Sequence, residues 1–314
     1  MSEKSISVLV VGATGQLGRL IALECLKRPN LKVSILVEDI DKDKDLVSRV
    51  KERGGQVFQA DVTNPESVRG VTKGIHTVIS ALGGNNKVMI EGQRYLLEDA
   101  IFNSCERFVP SDYTFDIWSF KPGIHYFLDQ RLKFRQILKK APIRSLHVSC
   151  GMFIETFLYL NKDKFSYWGD LNRTIDLTAM EDVAKYLAAA VSNPDRDGDL
   201  KITGNERTLR DYIDTWEAVN KTNAHVVNEG TVDDLFLRVA ELKDSGNTLE
   251  YIKLGYLIHV FSGTGKILYN DNGEFPEIQP ISFEEFLIKN KGKQAIDYSI
   301  PESVTKAKEE IQSY

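Results

Sequence analysis

Features that would place this sequence in a specialised class are missing from it. Its 314 residues include only three cysteines, too few and too scattered for a disulfide framework or a zinc site. No apolar run approaches the roughly 20 residues that a membrane-spanning helix needs. The first predicted strand begins near Ser5, which leaves no room for a signal peptide. We therefore expect a reduced, cytoplasmic protein with no membrane segment and no metal site.

Positively charged residues do not outnumber negatively charged ones. Lys and Arg number 40 against 45 Asp and Glu, a formal net charge of -5. No broad basic surface therefore predicts direct binding to nucleic acid or to a membrane. The apolar fraction of 42% is typical of a globular protein. At this length we expect one large α/β domain with a smaller lobe appended.

The most informative stretch lies near the start of the chain. Apolar residues 8–11 run directly into three glycines, and an amphipathic segment follows. This pattern predicts a buried parallel strand, a tight turn and a helix start that together bind a dinucleotide pyrophosphate. Gly12 would allow the turn, Gly15 the approach of the phosphates, and Gly18 close packing of helix on strand. The candidate cofactor residues of this turn are Gly12, Thr14, Gly15, Gln16, Leu17 and Gly18.

Three later loops complete the predicted cofactor edge. Glu38 follows the second strand, 20 residues after Gly18, where an acidic side chain accepts hydrogen bonds from both ribose hydroxyls. Its charge would oppose a 2′-phosphate, so NAD is favoured over NADP, although Lys42 and Lys44 could bind such a phosphate. The alternative for Glu38 is a solvated charged turn. The remaining candidates follow the third and fourth strands: Asp61, Val62, Ala81, Leu82 and Gly83.

Strand and helix patterns alternate over the first half of the chain. Right-handed crossovers would then give a Rossmann-type, doubly wound parallel sheet that binds ligands at the carboxyl ends of its strands. We predict an NAD(P)-binding domain over residues 1–150, with 172–203 completing its sheet. Residues 151–171 and 204–292 read as a smaller, mostly α-helical substrate lobe. A C-terminal tail helix is predicted over 293–314.

Several segments carry a family resemblance. They are the glycine turn, Arg-Phe-Val-Pro-Ser-Asp-Tyr at 107–113, and the segments at 181–184, 205–209 and 275–287. They resemble the isoflavone reductase-like and NmrA-like proteins, which are atypical short-chain dehydrogenases, and 107–113 is the most specific of them. The resemblance implies a Rossmann domain, a small substrate lobe and a nicotinamide cofactor, usually NADPH. Glu38 departs from the pattern, because NADPH-using relatives usually carry an arginine there.

The family's reducing members carry a catalytic lysine early in the helix that follows an aromatic loop. In this chain Arg131 falls at that place. Arginine stays charged and cannot act as a base, whereas a lysine can if burial lowers its pKa. Lys133 and Tyr126 share one face of the predicted helix, so we predict them as the catalytic pair. The alternatives are a solvated Lys133 and an Arg131 that holds Asp112 or Asp116 in an ion pair.

These patterns lead to two hypotheses about function. The first is an NAD(P)-dependent oxidoreductase that reduces a small apolar, aromatic or carbonyl substrate by hydride transfer. The second is a non-catalytic, NmrA-like dinucleotide sensor that acts on a regulatory protein partner. The expected partners are the dinucleotide and a small-molecule substrate, and a homodimer is compatible with both. Aromatic residues at 118, 120, 153, 157, 167 and 168 could line a substrate pocket or belong to the core.

Overall fold

The computed structural model describes residues 5–162, 164–291 and 304–314. Within these residues the chain divides into two compact units. The first unit contains residues up to 112 together with 130–148 and 183–200, and the second contains 113–129, 149–182 and 201–314. This division differs from the predicted domains, because 113–129 and 172–182 both belong to the second unit.

A seven-stranded sheet forms the centre of the first unit. In spatial order its strands are β3 (Val57–Gln59), β2 (Leu31–Val37), β1 (Ile6–Val11), β4 (Thr77–Ser80), β5 (Arg107–Val109), β6 (Arg144–Ser149) and β10 (Gly198–Lys201). The neighbouring strands from β3 to β6 pair in parallel. The order 3-2-1-4-5-6 is that of the Rossmann fold. The predicted doubly wound α/β sheet is therefore confirmed.

The strands are parallel and central because their side chains are apolar on both faces. The helices that lie wholly or mostly in this unit are α1 (Gln16–Leu26), α2 (Lys44–Glu52), α3 (Pro65–Val68), α4 (Gln93–Phe102), α5 (Tyr126–Leu138) and α7 (Met180–Val191). A π-helical turn at Lys87–Gly92 precedes α4. One core cluster joins alternate residues of the sheet to two helices: Leu9, Val11, Val78, Phe108, Leu96 and Phe134.

Side-chain caps fix where two of these helices begin. The Asp43 carboxylate accepts from the Leu46 N–H at 3.0 Å, so α2 starts at Lys44. Asn64 accepts from the Glu66 N–H at 3.1 Å and Pro65 follows at the first helical position. An Asn cap followed by an early proline is a favoured way to begin a helix.

A fully buried cation, Arg107, ties β5 to the end of α7. Its guanidinium donates to the carbonyl oxygens of Val191 at 2.9 Å, Asn193 at 2.8 Å and Arg196 at 2.5 Å. Burial lowers the pKa of Arg107 to about 10. The last carbonyls of a helix lack helical partners, so this side chain supplies hydrogen-bond donors to carbonyls at and just after the end of α7.

The second unit contains two small sheets and several helices. Its strands are β7 (Met152–Phe153), β8 (Phe165–Tyr167), β9 (Thr174–Thr178), β11 (Asn205–Thr208) and β12 (Val226–Asn228); its helices are α6 (Ile154–Leu160), α8 (Leu209–Asn220), α9 (Val232–Ser245), α10 (Thr248–Phe261), α11 (Phe283–Asn290) and α12 (Lys308–Ser313). β9 pairs with β11 and β7. Of the strands in 172–203, which the sequence predicted would complete the large sheet, β10 lies at the edge of that sheet and β9 lies outside it. The predicted tail helix lies partly outside the described residues.

Segment 113–129 belongs to the second unit because it packs on α10. The His125 Nε2 atom lies 3.0 Å from the Ile252 carbonyl oxygen, and the Tyr251 hydroxyl donates to the Ile124 carbonyl at 3.2 Å. A Cβ at Gly255 would lie 3.3 Å from the His125 ring and from the Ile124 carbonyl oxygen. A larger residue at 255 would therefore push the segment away from the helix.

Among the helices of the described residues, none is both long and apolar enough to cross a bilayer. The same residues contain no group of three His, Cys, Asp or Glu placed to hold a metal ion. Cys25, Cys105 and Cys150 are buried free thiols.

Candidate cofactor site

The turn between β1 and α1 has no room for a side chain at two of its glycines. Gly12 has a left-handed φ of +77°, and a Cβ there would lie 2.8 Å from the Ala81 carbonyl oxygen. A Cβ at Gly18 would lie 2.2 Å from the Gly12 carbonyl oxygen. Both positions therefore need glycine because of the protein's own backbone.

Gly15 differs from these two glycines. Its φ of −76° suits any residue, its surroundings are exposed, and a Cβ would meet only the Gly12 carbonyl oxygen, at 3.3 Å. Gly15 is the N-cap of α1 and offers no side chain to cap it, and the first turn carries no acidic residue. Side chains do cap α2, α8 and α9. The start of α1 thus has the features of an anion-binding helix terminus.

The loop after β2 is rich in carboxylates, and its cations are largely paired. Glu38 is exposed at the end of the strand. Arg19 pairs with Asp43 at 2.6 Å, and Lys44 pairs with the carboxylate three residues before it at 3.3 Å. Lys42 is exposed and forms no ion pair with any described residue. Lys42 is therefore the cation of this loop that remains available to a 2′-phosphate, next to the negative charge of Glu38.

The loops after β3 and β4 hold the remaining predicted cofactor residues. Asp61 is exposed, and its carboxylate accepts from the Thr63 hydroxyl at 2.7 Å and the Thr63 N–H at 2.8 Å. These hydrogen bonds lower the pKa of Asp61. Val62 is buried, while Gly83 is exposed with open space around its Cβ position. The predicted cofactor residues that are half-buried at the same edge are Thr14, Leu17, Ala81 and Leu82. Gln16 is exposed on α1.

Hydrogen bonds hold the loops after β4 and β5 together. The Ser111 hydroxyl donates to the Leu82 carbonyl at 2.6 Å, and the Ser111 N–H donates to the Gln93 side chain at 3.0 Å. Buried Gln130 of α5 donates to Asn86 at 3.2 Å. The carboxyl ends of neighbouring strands are thereby fixed relative to one another, which is where this fold binds ligands.

A buried charged cluster that the sequence analysis missed surrounds Asp112. Its carboxylate lies 2.8 Å from His147 Nδ1 and 3.1 Å from Arg135 Nε, and Arg135 also pairs with Asp199 at 2.8 Å. Arg131 donates to the main-chain carbonyl of Asp112 at 2.9 Å, and not to its carboxylate as an ion pair would. The signal available in the sequence is the spacing of Arg131 and Arg135, one helical turn apart.

The structure does not bring the two predicted catalytic residues together. Lys133 lies on the exposed side of α5 and has no hydrogen bond or ion pair with any described residue. Tyr126 is buried, and its hydroxyl donates to Glu310 of α12 at 2.5 Å. The C-terminal helix covers the first turn of α5, while solvent reaches the helix two turns later. A catalytic role for Lys133 and Tyr126 stays a prediction.

The aromatic residues that were predicted to line a pocket do not share one environment in the second unit. Phe157 and Trp168 line a cavity of about 630 Å³. Phe120 stacks on His259 with the ring centroids 3.9 Å apart, and Trp118 is exposed. Phe153 and Tyr167 are half-buried outside the cavity lining. Two of the six aromatic residues therefore form part of a cavity.

Comparison with known proteins decides the family. A family model described as the NmrA-like family matches residues 4–250. The chain belongs to the NmrA-like family. A curated relative of this NmrA-like protein is the bifunctional pinoresinol-lariciresinol reductase of Thuja plicata, 27% identical over 241 residues, 70% of this chain and 77% of the relative. The family resemblance of the sequence segments is thus confirmed.

Solved structures share the fold of this NmrA-like protein. An isoflavone reductase crystal structure matches with a TM-score of 0.77 at 18% identity, covering 91% of this chain and 99% of that chain. The binary complex of leucoanthocyanidin reductase with NADPH from Vitis vinifera matches with a TM-score of 0.75 at 19% identity, covering 90% and 98%. Identities this low establish a shared fold but not a shared activity. The chemistry must therefore be argued from the residues of this chain.

Proposed function

We propose that this protein binds a nicotinamide dinucleotide at the start of α1 and uses it to reduce a small apolar, aromatic or carbonyl substrate. The observation that carries the proposal is Gly15. Its backbone conformation does not require glycine, and a Cβ there would meet only the Gly12 carbonyl oxygen, at 3.3 Å, so we infer that the missing side chain mainly serves a molecule outside the protein. A diphosphate that approaches the main chain needs that space. The reductase names of the relatives support the same chemistry.

The chain's own groups have defined tasks in this proposal. Main-chain N–H groups at the start of α1 would donate to the phosphates, where the helix dipole also favours negative charge. The Glu38 carboxylate would accept hydrogen bonds from the ribose hydroxyls. The Ser111–Leu82 and Gln130–Asn86 hydrogen bonds would keep the cofactor edge in one shape. When bound, the nicotinamide supplies the hydride.

We further propose that NAD(H) is preferred to NADP(H). A 2′-phosphate would place negative charge against Glu38, and of the nearby cations Arg19 and Lys44 are already paired, which leaves Lys42 alone to offset that charge. Calorimetric titration of NADH and NADPH tests this directly. Glu38→Gln should raise the affinity for NADPH by about tenfold, because it removes a like charge. Glu52→Gln, an exposed glutamate on α2, should leave both affinities unchanged, and tighter binding of NADPH by the unaltered protein contradicts the preference.

Gly15→Ala tests the proposed site without destroying the fold. Alanine suits the backbone at 15 and makes one tight contact, 3.3 Å from the Gly12 carbonyl oxygen, so we expect the melting temperature to fall only slightly. Affinity for NADH should fall by about tenfold or more, because the new methyl group keeps the diphosphate from the main chain. Gly273→Ala is the matched control, since residue 273 is exposed with open space around its Cβ position. Unchanged NADH affinity in Gly15→Ala would overturn the proposal.

A dinucleotide sensor without turnover is the second candidate function. Arg131, at the place of the family's lysine, is engaged with the Asp112 carbonyl, and this favours the sensor. NADH oxidation with a panel of aryl ketones and phenolic ethers separates the two functions. With turnover, Lys133→Ala should lower kcat if Lys133 delivers the proton, while Lys140→Ala should not. NADH binding with no oxidation across the panel would support the sensor.

A further inference from the structure

Arg19 is a cation between the two loops that the proposed function assigns to the dinucleotide. It directly follows Gly18 of the glycine turn, and its N–H donates to the Gly15 carbonyl oxygen at 2.9 Å. Its guanidinium extends to the beginning of α2, where it contacts Asp43, five residues after Glu38. Because a guanidinium is well suited to bind a phosphate through two parallel hydrogen bonds, the partners of Arg19 bear on any phosphate near the ribose.

Two carboxylates of the chain itself occupy the Arg19 guanidinium. Its Nε atom lies 2.6 Å from Asp43 Oδ2, and its Nη2 atom lies 3.2 Å from Asp45 Oδ2. Asp45 also pairs with Arg49 at 3.0 Å. The donors that a phosphate would use are therefore directed at aspartates.

Asp43 is held in place by the start of α2. Its other oxygen, Oδ1, accepts from the Leu46 N–H at 3.0 Å, and its side chain is only 15% exposed, against 39% for Arg19. An exposed ion pair contributes little, partly because two mobile side chains must be ordered and partly because water screens the charges. Both costs are smaller for Asp43, since the cap already fixes its carboxylate beside Arg19.

We propose that Asp43 and Asp45 determine cofactor specificity by withholding Arg19 from the 2′-phosphate of NADP(H). This selection rests on the proposed function, since it operates only when a dinucleotide lies in the glycine turn. A 2′-phosphate would have to displace Asp43 from the guanidinium and would meet the like charges of both aspartates. NAD(H) lacks that phosphate and leaves both ion pairs intact. Glu38 opposes the phosphate by its own charge, whereas the two aspartates act through Arg19.

The Asp43→Asn, Asp45→Asn double variant releases Arg19 and keeps the helix start. Asparagine caps a helix about as well as aspartate, so we expect a melting temperature close to that of the unaltered protein. Calorimetric titration gives the affinities for NADPH and NADH. The ratio of NADPH affinity to NADH affinity should rise by about tenfold, because a guanidinium becomes available and two like charges are removed. Lys42 is present in both proteins, so its attraction for the phosphate cancels in the comparison.

Arg19→Ala separates withholding from simple repulsion. In the Arg19→Ala background the two Asp→Asn changes remove the same two charges but release no guanidinium from these pairs. The affinity ratio should then rise by about threefold or less, and the difference between the two backgrounds is the coupling that passes through Arg19. A purely structural role of the aspartates would change the melting temperature and would not create this coupling. An equal rise in both backgrounds would overturn the proposal.

The Glu52→Gln, Glu241→Gln double variant is the matched control. It also removes two carboxylates and releases one arginine, because Glu241 pairs with Arg238 at 3.1 Å in α9 and Glu52 lies at the end of α2. Its affinity ratio should equal that of the unaltered protein. If the ratio of the Asp43→Asn, Asp45→Asn variant is also unchanged while NADH still binds, the aspartates do not select the cofactor and the proposed function stands. If neither the unaltered protein nor any variant binds a dinucleotide, both proposals fail.

Discussion

Glu155 is a buried carboxylate whose replacement should change how stability depends on pH. It lies in the first turn of α6 and is 7% exposed. Its two oxygens accept from the Met180 N–H at 3.1 and 3.2 Å. Burial, with smaller effects from Glu181 and Asp182, raises its pKa from 4.5 to about 7, against main-chain hydrogen bonds that lower it.

The direction of the pH effect follows from which state holds the proton. Between pH 4.5 and about 7 the folded protein keeps a proton on Glu155 that the unfolded chain has lost, so stability falls as pH rises. The contribution is fully present below pH 4.5 and is lost above the folded pKa. At about 1.4 kcal/mol for each pKa unit, the loss is roughly 3 kcal/mol.

Glu155→Gln removes this titration and keeps an oxygen that can accept from the Met180 N–H. Urea unfolding followed by fluorescence gives the free energy of unfolding at each pH. The advantage of the variant over the unaltered protein should grow by roughly 3 kcal/mol between about pH 5 and pH 8. Glu284→Gln, at an exposed position, should run parallel to the unaltered protein. If the Glu155→Gln curve is also parallel, the carboxylate ionises at no cost and the reasoning is refuted.

Three further predictions concern stability, each measured by urea or thermal unfolding. Arg107→Met removes the donors that satisfy the carbonyls after α7 and should cost roughly 3–5 kcal/mol; a loss below about 1 kcal/mol contradicts this. Gly54→Ala meets open space at a φ of +72° and should cost about 1 kcal/mol. Gly55→Ala would place a Cβ 1.8 Å from a main-chain oxygen of β2 and should cost more; the reverse order speaks against the packing argument. A double-mutant cycle on Tyr126→Phe and Glu310→Gln should give a coupling of about 1.5 kcal/mol, whereas no coupling means that α12 does not hold Tyr126 in solution.

The first unit was more predictable from the sequence than the second. Its strands are apolar runs separated by capped or glycine-ended helices, so the local pattern and the final register agree. β9 shows the limit of this approach. A residue pattern can indicate extended backbone, but it cannot say which strand lies beside β9. β9 pairs with β11, which lies about thirty residues later in the chain. Such a contact between residues distant in sequence is not determined by the local pattern.

The candidate site was also only partly predictable from the sequence. The glycine turn is local, so its spacing within seven residues, 12–18, is visible in the sequence. The cluster around Asp112 draws its partners from α5, β6 and β10, and no local pattern joins these elements. The burial of Tyr126 depends on Glu310, 184 residues later. Helical periodicity alone therefore could not distinguish its surroundings from those of Lys133.

The hydrogen bond of Arg131 to Asp112 limits which residue of α5 can transfer a proton. Arg131 and Arg135 lie one turn apart on α5 and both bind Asp112, one through the main-chain carbonyl and the other through the carboxylate. A guanidinium in this arrangement stays charged and has no proton to exchange near neutral pH. Position 131 therefore fixes the loop after β5 and does not transfer protons. If the protein reduces a substrate, the proton must come from another group, and Lys133 of α5 stays the predicted donor.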